Sequence, residues 1–266
     1  MPTVERVITA GMWRLPGGRR LVHRYKERRS RQDEDRYQAH LAWSMSHPEH
    51  FAGDLPPGYG RGMTERAVEF GWVAAQTPSG RVLDAGSALN HRVTLDHLLP
   101  MMEELTIVTL APEPESFPER GVRYLYDDLR RLDLPDDAFD TIVSVSTLEH
   151  VGLDNERFHG AQAAAGDPAE GARQAMCELV RVARPGALML VTVPFGVSWR
   201  GSWVRQFDGD ELDDFVATAQ PVQVDEAIFR HDDRGGWRRT SRAGAASAEY
   251  REWQAQAVAC VRLTLA

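Results

Sequence analysis

Apolar residues are arranged along this chain in two ways, and the change falls near residue 80. Upstream, Tyr37, Leu41 and Met45 recur at intervals of four and predict a helix from about Asp33 to Met45. Pro48, Gly53, Pro56, Pro57, Gly58, Gly60 and Gly62 then interrupt the chain and place a loop around Asp54 to Gly62. A second helix is expected from Thr64, read as its N-cap, through Val68 and Trp72, with Pro78-Ser79-Gly80 closing the region. Downstream, short apolar runs alternate with helical or turn-rich stretches, the pattern of a parallel sheet built from βαβ units. The expected strands are Arg81 to Asp84, Leu105 to Leu110, Val122 to Tyr126, Thr141 to Ser144 and Leu188 to Val193, with Val222 to Phe229 and Ala257 to Leu265 as an antiparallel end. The expected fold is α/β: a seven-stranded, mostly parallel sheet with helices on both faces over residues 79–266, preceded by a helical and looped extension over residues 1–78. Ala161 to Gly171, rich in Ala and Gly, reads as an insertion.

Composition narrows the function classes. At 266 residues with 42% apolar and 26% charged positions, the chain suits one α/β domain with an addition, and is too apolar to be disordered. The net charge of -8 hides an asymmetry, because residues 1–31 hold nine Arg and Lys against two acids. This basic arm (Trp13, Arg19, Arg20, Arg24, Lys26, Arg28, Arg29, Arg31) suits an anionic membrane, a nucleic acid or the acidic body of its own protein. Docking within the protein or between subunits is the favoured reading, and a homodimer formed through the extension is one such arrangement. The acidic remainder argues against a nucleic-acid clamp and for a small-molecule substrate. Cys177 and Cys260 build neither a disulfide framework nor a zinc site, which points to a reducing cytoplasm. No apolar run approaches the ~20 residues of a membrane span, and the N-terminus shows no secretory h-region, so no transmembrane segment is expected.

The chemistry is concentrated in four ordered segments. Arg81-Val82-Leu83-Asp84-Ala85-Gly86-Ser87-Ala88-Leu89-Asn90 is a buried strand that ends in an acid and a tight turn. Gly86 lets backbone approach a ligand closely, Ala88 stays small and Asn90 tolerates positive φ. Tyr126-Asp127-Asp128-Leu129 precedes Leu134-Pro135-Asp136-Asp137-Ala138-Phe139-Asp140. Thr141 to Val151 is a strand followed by Ser146-Thr147-Leu148-Glu149-His150, and Leu179 to Leu190 reads as helix, Pro-Gly turn and strand. In this order the segments, covering roughly Arg81 to Gly196, resemble the class I, Rossmann-like S-adenosylmethionine-dependent methyltransferases.

The resemblance implies S-adenosylmethionine as cofactor and a set of residues to hold it. Asp84, Gly86, Ser87, Ala88 and Asn90 match the first motif, with Asp84 accepting hydrogen bonds from the turn or, through water, from the cofactor's ammonium. Asp128 would bond the adenine amino group, while Leu129 offers a backbone N–H. Ser146 and Thr147 are expected to line the crevice at the carboxyl end of a parallel strand. The sequence departs from the family at Ala88 and Asn90, which stand for glycines, and at the second strand. There Thr109, Leu110 or Ala111 occupies the place of the acid that grips the ribose; Leu110 is taken as the contact, and Glu113 lies between Pro112 and Pro114.

Methyl transfer is an in-line displacement that gains from positioning and, for a hydroxyl acceptor, from a base. His150 is the best-placed candidate, ahead of His91 and His159, with a structural hydrogen bond as its bland role and Glu149 as its orienting neighbour or a helix cap. Asp154, His159 and Asp208 combine into a metal site on paper only, and no metal is expected. Tyr59, Trp199, Trp203 and Phe207 suit the walls of a substrate pocket or simply the core. The expected activity is methyl transfer to a small molecule, a hydroxyl of a glycan precursor or secondary metabolite. The alternatives are a Rossmann-like binding or scaffold protein, and a non-methylating enzyme such as a cyclase that uses the same pocket.

Overall fold

The structure is a computed structural model that describes residues 34–154, 168–251 and 254–266. The basic arm, His159 and most of the Ala/Gly-rich insertion lie outside the described residues. The chain divides into two compact units, residues 1–40 and 41–266. In the first, residues 34–40 are helical; in the second, residues 41–46 are helical and lead into a 3-10 turn at Pro48–Phe51.

The second unit is organised by one eight-stranded sheet. Its strands are β1 (Gly80–Ala85), β2 (Met102–Thr109), β3 (Arg123–Tyr126), β4 (Phe139–Val145), β5 (Ala183–Pro194), β8 (Gln223–Asp232), β9 (Gly236–Thr240) and β12 (Ala257–Thr264). Two small hairpins complete the set, β6 (Trp199–Arg200) with β7 (Arg205–Gln206) and β10 (Tyr250–Arg251) with β11 (Gln254–Ala255). The order β3-β2-β1-β4-β5-β12-β8-β9 is parallel from β3 through β5 and antiparallel beyond. Strand order reverses between β1 and β4, which creates a crevice above their carboxyl ends. Central strands such as β4 are buried on both faces, so Ile142, Val143 and Val145 form a run rather than an alternation.

Three local features differ from the sequence pattern. The additional strand, β9, carries polar residues at most positions; only the turn Asp232-Asp233-Arg234-Gly235 announces it. Asp232 accepts the N–H groups of Arg234 (2.8 Å) and Gly235 (2.9 Å), and Gly236 has φ +76°. Trp237 then anchors β9, its backbone N–H donating to the Tyr59 carbonyl at 2.7 Å and its indole N–H to Met63 at 3.0 Å. Secondly, the Arg184-Pro185-Gly186 turn lies inside β5 as an irregularity, where the pairing with β4 slips between Phe139 and Thr141 and Gly186 takes φ +79°. Thirdly, Thr64 does not cap the second helix. That helix runs Arg66–Ala75, its N-cap position is Glu65 in helical conformation, and no side chain caps it.

The helix Arg66–Ala75 is buried nearly all round, with Ala67, Val68, Phe70, Trp72, Val73 and Ala74 in the core. Its approach to the Pro48–Phe51 turn depends on Gly71, where an added Cβ would lie 2.1 Å from the Phe51 ring. Gly71→Ala is therefore expected to cost about 1–3 kcal/mol despite the better helix propensity of alanine, read as a lowered midpoint in denaturant. An unchanged or raised midpoint would show that the Phe51 ring yields without penalty.

Candidate functional site

The exits of β1, β2 and β4 and the chain after β3 surround a cleft of about 210 Å³. Of the residues singled out in the sequence, Gly86, Leu110, Asp128, Leu129, Ser146 and His150 line it. Asp84, Ser87, Ala88 and Asn90 do not; they are buried residues of the turn that carries Gly86.

That turn is a packed object. Gly86 has φ +115°, and a Cβ there would meet the Thr147 side chain at 2.1 Å, so the loop after β1 lies directly against the loop after β4. Asp84 accepts the Leu89 N–H at 2.8 Å through one carboxylate oxygen, while its other oxygen is buried without a hydrogen-bond partner. Ser87 (φ +65°) and Ser146 (φ +41°) hold left-handed conformations that non-glycine residues rarely adopt, one in each loop.

Glu113 reaches back to the same turn despite its flanking prolines. Its carboxylate accepts the Ser87 hydroxyl at 2.8 Å and the Asn90 amide at 2.7 Å, and the Tyr124 hydroxyl donates to Asn90 at 2.8 Å. Glu113 thus fastens the loop after β2 to the loop after β1 and is not among the cleft-lining residues. Val108 and Thr109 of β2 and Leu110 just beyond it line the cleft there.

On the far side, Asp128 is gripped by Arg130, whose Nε lies 3.0 and 3.1 Å and Nη2 2.6 Å from the two carboxylate oxygens, and whose backbone N–H adds a fourth bond at 2.9 Å. Burial alone would raise the Asp128 pKa, but these bonds and the Arg130 charge outweigh it and hold the carboxyl below its ordinary value. Asp127 stabilises the turn by accepting the N–H groups of Asp128 (2.8 Å) and Asp133 (2.9 Å).

His150 sits at the cleft rim on the 3-10 turn Leu148–His150. Its Nδ1 is 2.6 Å from the Trp203 carbonyl, which can only accept, so Nδ1 carries the proton. The ring stacks on the Trp203 indole with centroids 5.2 Å apart and planes 9° apart, and Nε2 lies 3.8 Å from Glu149 Oε1. Trp199 in turn stacks on Tyr250 at 5.6 Å. Tyr59 and Phe207, by contrast, are core residues: the Tyr59 hydroxyl donates to Ala67 at 2.7 Å and Phe207 packs on Phe215 at 5.3 Å. His91 is the N-cap residue of the helix Arg92–Leu98, and Asp208 caps the helix Gly209–Ala217 by accepting the Glu211 N–H at 3.0 Å. Among the described residues no three His, Cys, Asp or Glu side chains are grouped to hold a metal ion, and no helix is long and apolar enough to cross a membrane.

Thr147, expected beside Ser146, lines the cleft as well, and so do Arg66 and Arg130, which were not singled out in the sequence. For Arg66 a signal existed: Arg66 and Glu69 are a polar pair three residues apart within an otherwise apolar helix.

Residues 85–191 match the family described as "Methyltransferase domain". No curated protein matches the chain. Among solved structures, it is similar to the [4+2]-cyclase SpnF, with 18% identity, 79% of this chain and 87% of that one covered, and a TM-score of 0.50. It is also similar to a possible histamine N-methyltransferase from Thermotoga maritima, with 17% identity, 74% and 88% coverage and a TM-score of 0.47. A third is the 1,6-didemethyltoxoflavin-N1-methyltransferase of Burkholderia thailandensis, with 16% identity, 95% and 91% coverage and a TM-score of 0.44. At such identities the likeness concerns the fold.

Burial sets the charge state around the cleft. It pushes Asp84 up to about 7, and Glu149 to about 8 with help from the Glu69 and Glu65 charges. It lowers His150 to about 4. At neutral pH the imidazole is neutral while Glu149 holds its proton. A carboxyl whose folded pKa lies above its unfolded value stabilises the fold fully below the unfolded pKa and loses that contribution as pH rises through the folded one. The Glu149 contribution to the slope of melting temperature against pH should therefore be negative from about 4.5 to about 8, opposed below about 6.5 by His150, whose folded pKa is lowered. Glu149→Gln, a neutral isostere, should flatten that slope by at least about 3 °C across the window; equal slopes in both proteins would show that Glu149 does not titrate as a buried acid.

Proposed function

We propose that this chain, whose residues 85–191 match a methyltransferase domain and whose sheet is parallel from β3 through β5, transfers a methyl group from S-adenosylmethionine to a small molecule, most specifically to a hydroxyl of a glycan precursor or secondary metabolite. The observation that supports this reading is the convergence on one cleft of Gly86 from the β1 exit, Asp128 and Leu129 after β3, and Ser146 and His150 after β4.

The residues present suit the cofactor at two places. Gly86 offers backbone without a Cβ, beside an Asp84 carboxyl that keeps one buried oxygen without a partner. Asp128, rigidly held by Arg130, presents an ordered carboxylate, with the Leu129 N–H beside it. The ribose position lacks the acid usual in the family, since Leu110 stands there and Glu113 is bonded to Ser87 and Asn90.

Bound in this cleft, S-adenosylmethionine supplies an electrophilic methyl group on a sulfonium. The protein's part is to hold the acceptor oxygen in line and receive its proton. His150 is the group proposed to receive the proton: the Trp203 carbonyl keeps Nδ1 protonated, so in the neutral ring Nε2 is the nitrogen that carries the lone pair. Its low pKa means that the ring is unprotonated at neutral pH.

Calorimetric titration of the full chain with S-adenosylmethionine and S-adenosylhomocysteine tests the reading, and absence of binding to both at millimolar concentration would sink it. Asp128→Ala should weaken binding by about tenfold or more, the loss of a charged hydrogen bond of ~1.5 kcal/mol; unchanged affinity would move the adenine site elsewhere. With a panel of hydroxylated small molecules as acceptors, His150→Ala should reduce turnover by roughly 10²-fold while cofactor affinity stays near wild type. Normal turnover in that variant would remove His150 from the role of base.

A further inference from the structure

Glu69 is a fully buried carboxylate in the middle of an apolar helix. Such a charge is costly unless every lone pair has a donor, and replacing it with an apolar residue is the ordinary solution where no role requires it. Its donors come from three elements: the Ser146 hydroxyl at 2.5 Å after β4, the Thr192 hydroxyl at 2.6 Å on β5, and Arg66 Nη1 at 2.8 Å on its own helix. Two of these partners, Arg66 and Ser146, line the cleft.

Arg66 is unlike the other cleft arginine. Arg130 spends its fork on Asp128, whereas Arg66 makes, among the described residues, one ion pair, through a single nitrogen to Glu69. The Arg66 side chain is about one-third exposed and lines the same cavity as Gly86. Its charge is felt by Asp84, Glu149 and His150 around the cleft, and by Glu65 beside it in the chain. A guanidinium that spends one nitrogen on a carboxylate keeps further N–H donors, and its planar fork can give two parallel bonds to a planar anion.

We propose that Glu69 is a positioning residue that holds Arg66 as a carboxylate-binding group at the floor of the cleft, and that the carboxylate it receives is the amino-acid end of the cofactor. This rests on the reading of the cleft as a cofactor site. The buried anion sets the direction of the guanidinium, and through the Ser146 hydroxyl it also pins the left-handed residue at the β4 exit, so both sides of the cleft floor are referred to one carboxylate.

The test compares S-adenosylhomocysteine with 5′-methylthioadenosine, which has the nucleoside and sulfur but no amino-acid end. Dissociation constants are measured by calorimetry for the full-length wild type, Arg66→Met, Arg66→Lys and Glu69→Gln, each checked by thermal melting. Gln at 69 keeps acceptors for Ser146 and Thr192 but withdraws the charge that holds Arg66. The expected result is a loss of about tenfold or more in S-adenosylhomocysteine affinity for Arg66→Met and Glu69→Gln, partial recovery in Arg66→Lys, and methylthioadenosine affinity within about threefold of wild type throughout. Equal weakening of both ligands would mean a merely structural role and overturn the proposal, as would no change in either. Arg66 is partly exposed, so its variants decide the question even if Glu69→Gln fails to fold. A wild type that binds neither ligand would instead overturn the cofactor reading itself, and this inference with it.

Discussion

The absence of a side chain at Gly86 is the constraint on which the cleft depends. Because the loop after β1 touches the loop after β4 with no room for a Cβ, the two exits at the sheet's switch point are locked at one spacing. Everything that lines the cavity is positioned relative to that contact. Asp84 closes the first loop from beneath by accepting the Leu89 N–H, and Glu113 ties the loop after β2 to it through Ser87 and Asn90. The second loop is tied down by Glu69 and by the Ser146 N–H, which donates to the Thr192 hydroxyl at 3.0 Å and the Thr192 carbonyl at 3.1 Å. Two strained serines, one per loop, are tolerated because the neighbouring bonds over-determine their conformation.

The same packing governs the electrostatics. Removing water from the acids around Arg66 makes several of them weak acids, so a region that reads as strongly negative in the sequence carries far less charge when folded. Glu69 is the member whose charge is matched by donors on every side. The cleft is therefore defined by a few fixed charges, the Arg130–Asp128 clamp at one place and the Arg66–Glu69 pair at another.

The fold was legible because its signals are local and redundant. Buried parallel strands such as Val82-Leu83 and Ile142-Val143 must be continuously apolar, and the turns between them carry Gly and Pro. β9 escaped because its position rests on Trp237 bonding to the distant Tyr59 and Met63, a contact no periodicity encodes. At the site, residues that touch the cavity through a motif, such as Gly86, Asp128 and His150, were visible in order along the chain. Arg66 was not, because its position depends on a carboxylate three residues away whose other partners lie 77 and 123 residues along the chain. The part of Glu113 was visible only as an anomaly, since spacing cannot say that two prolines direct its side chain onto Asn90.

His150 is not mounted on the sheet alone: its Nδ1 is bonded to the Trp203 carbonyl and its ring lies flat on the Trp203 indole, in the turn between β6 and β7. A hairpin rim of this kind is where insertions and substitutions accumulate at low cost to the core. Here the rim and the imidazole travel together, so any lineage that reshapes the hairpin to admit a different molecule also re-aims the ring. Under the proposed reaction the hairpin and its histidine therefore form one module, and that module, rather than any single side chain, is the unit to transplant when redesigning what the cleft accepts.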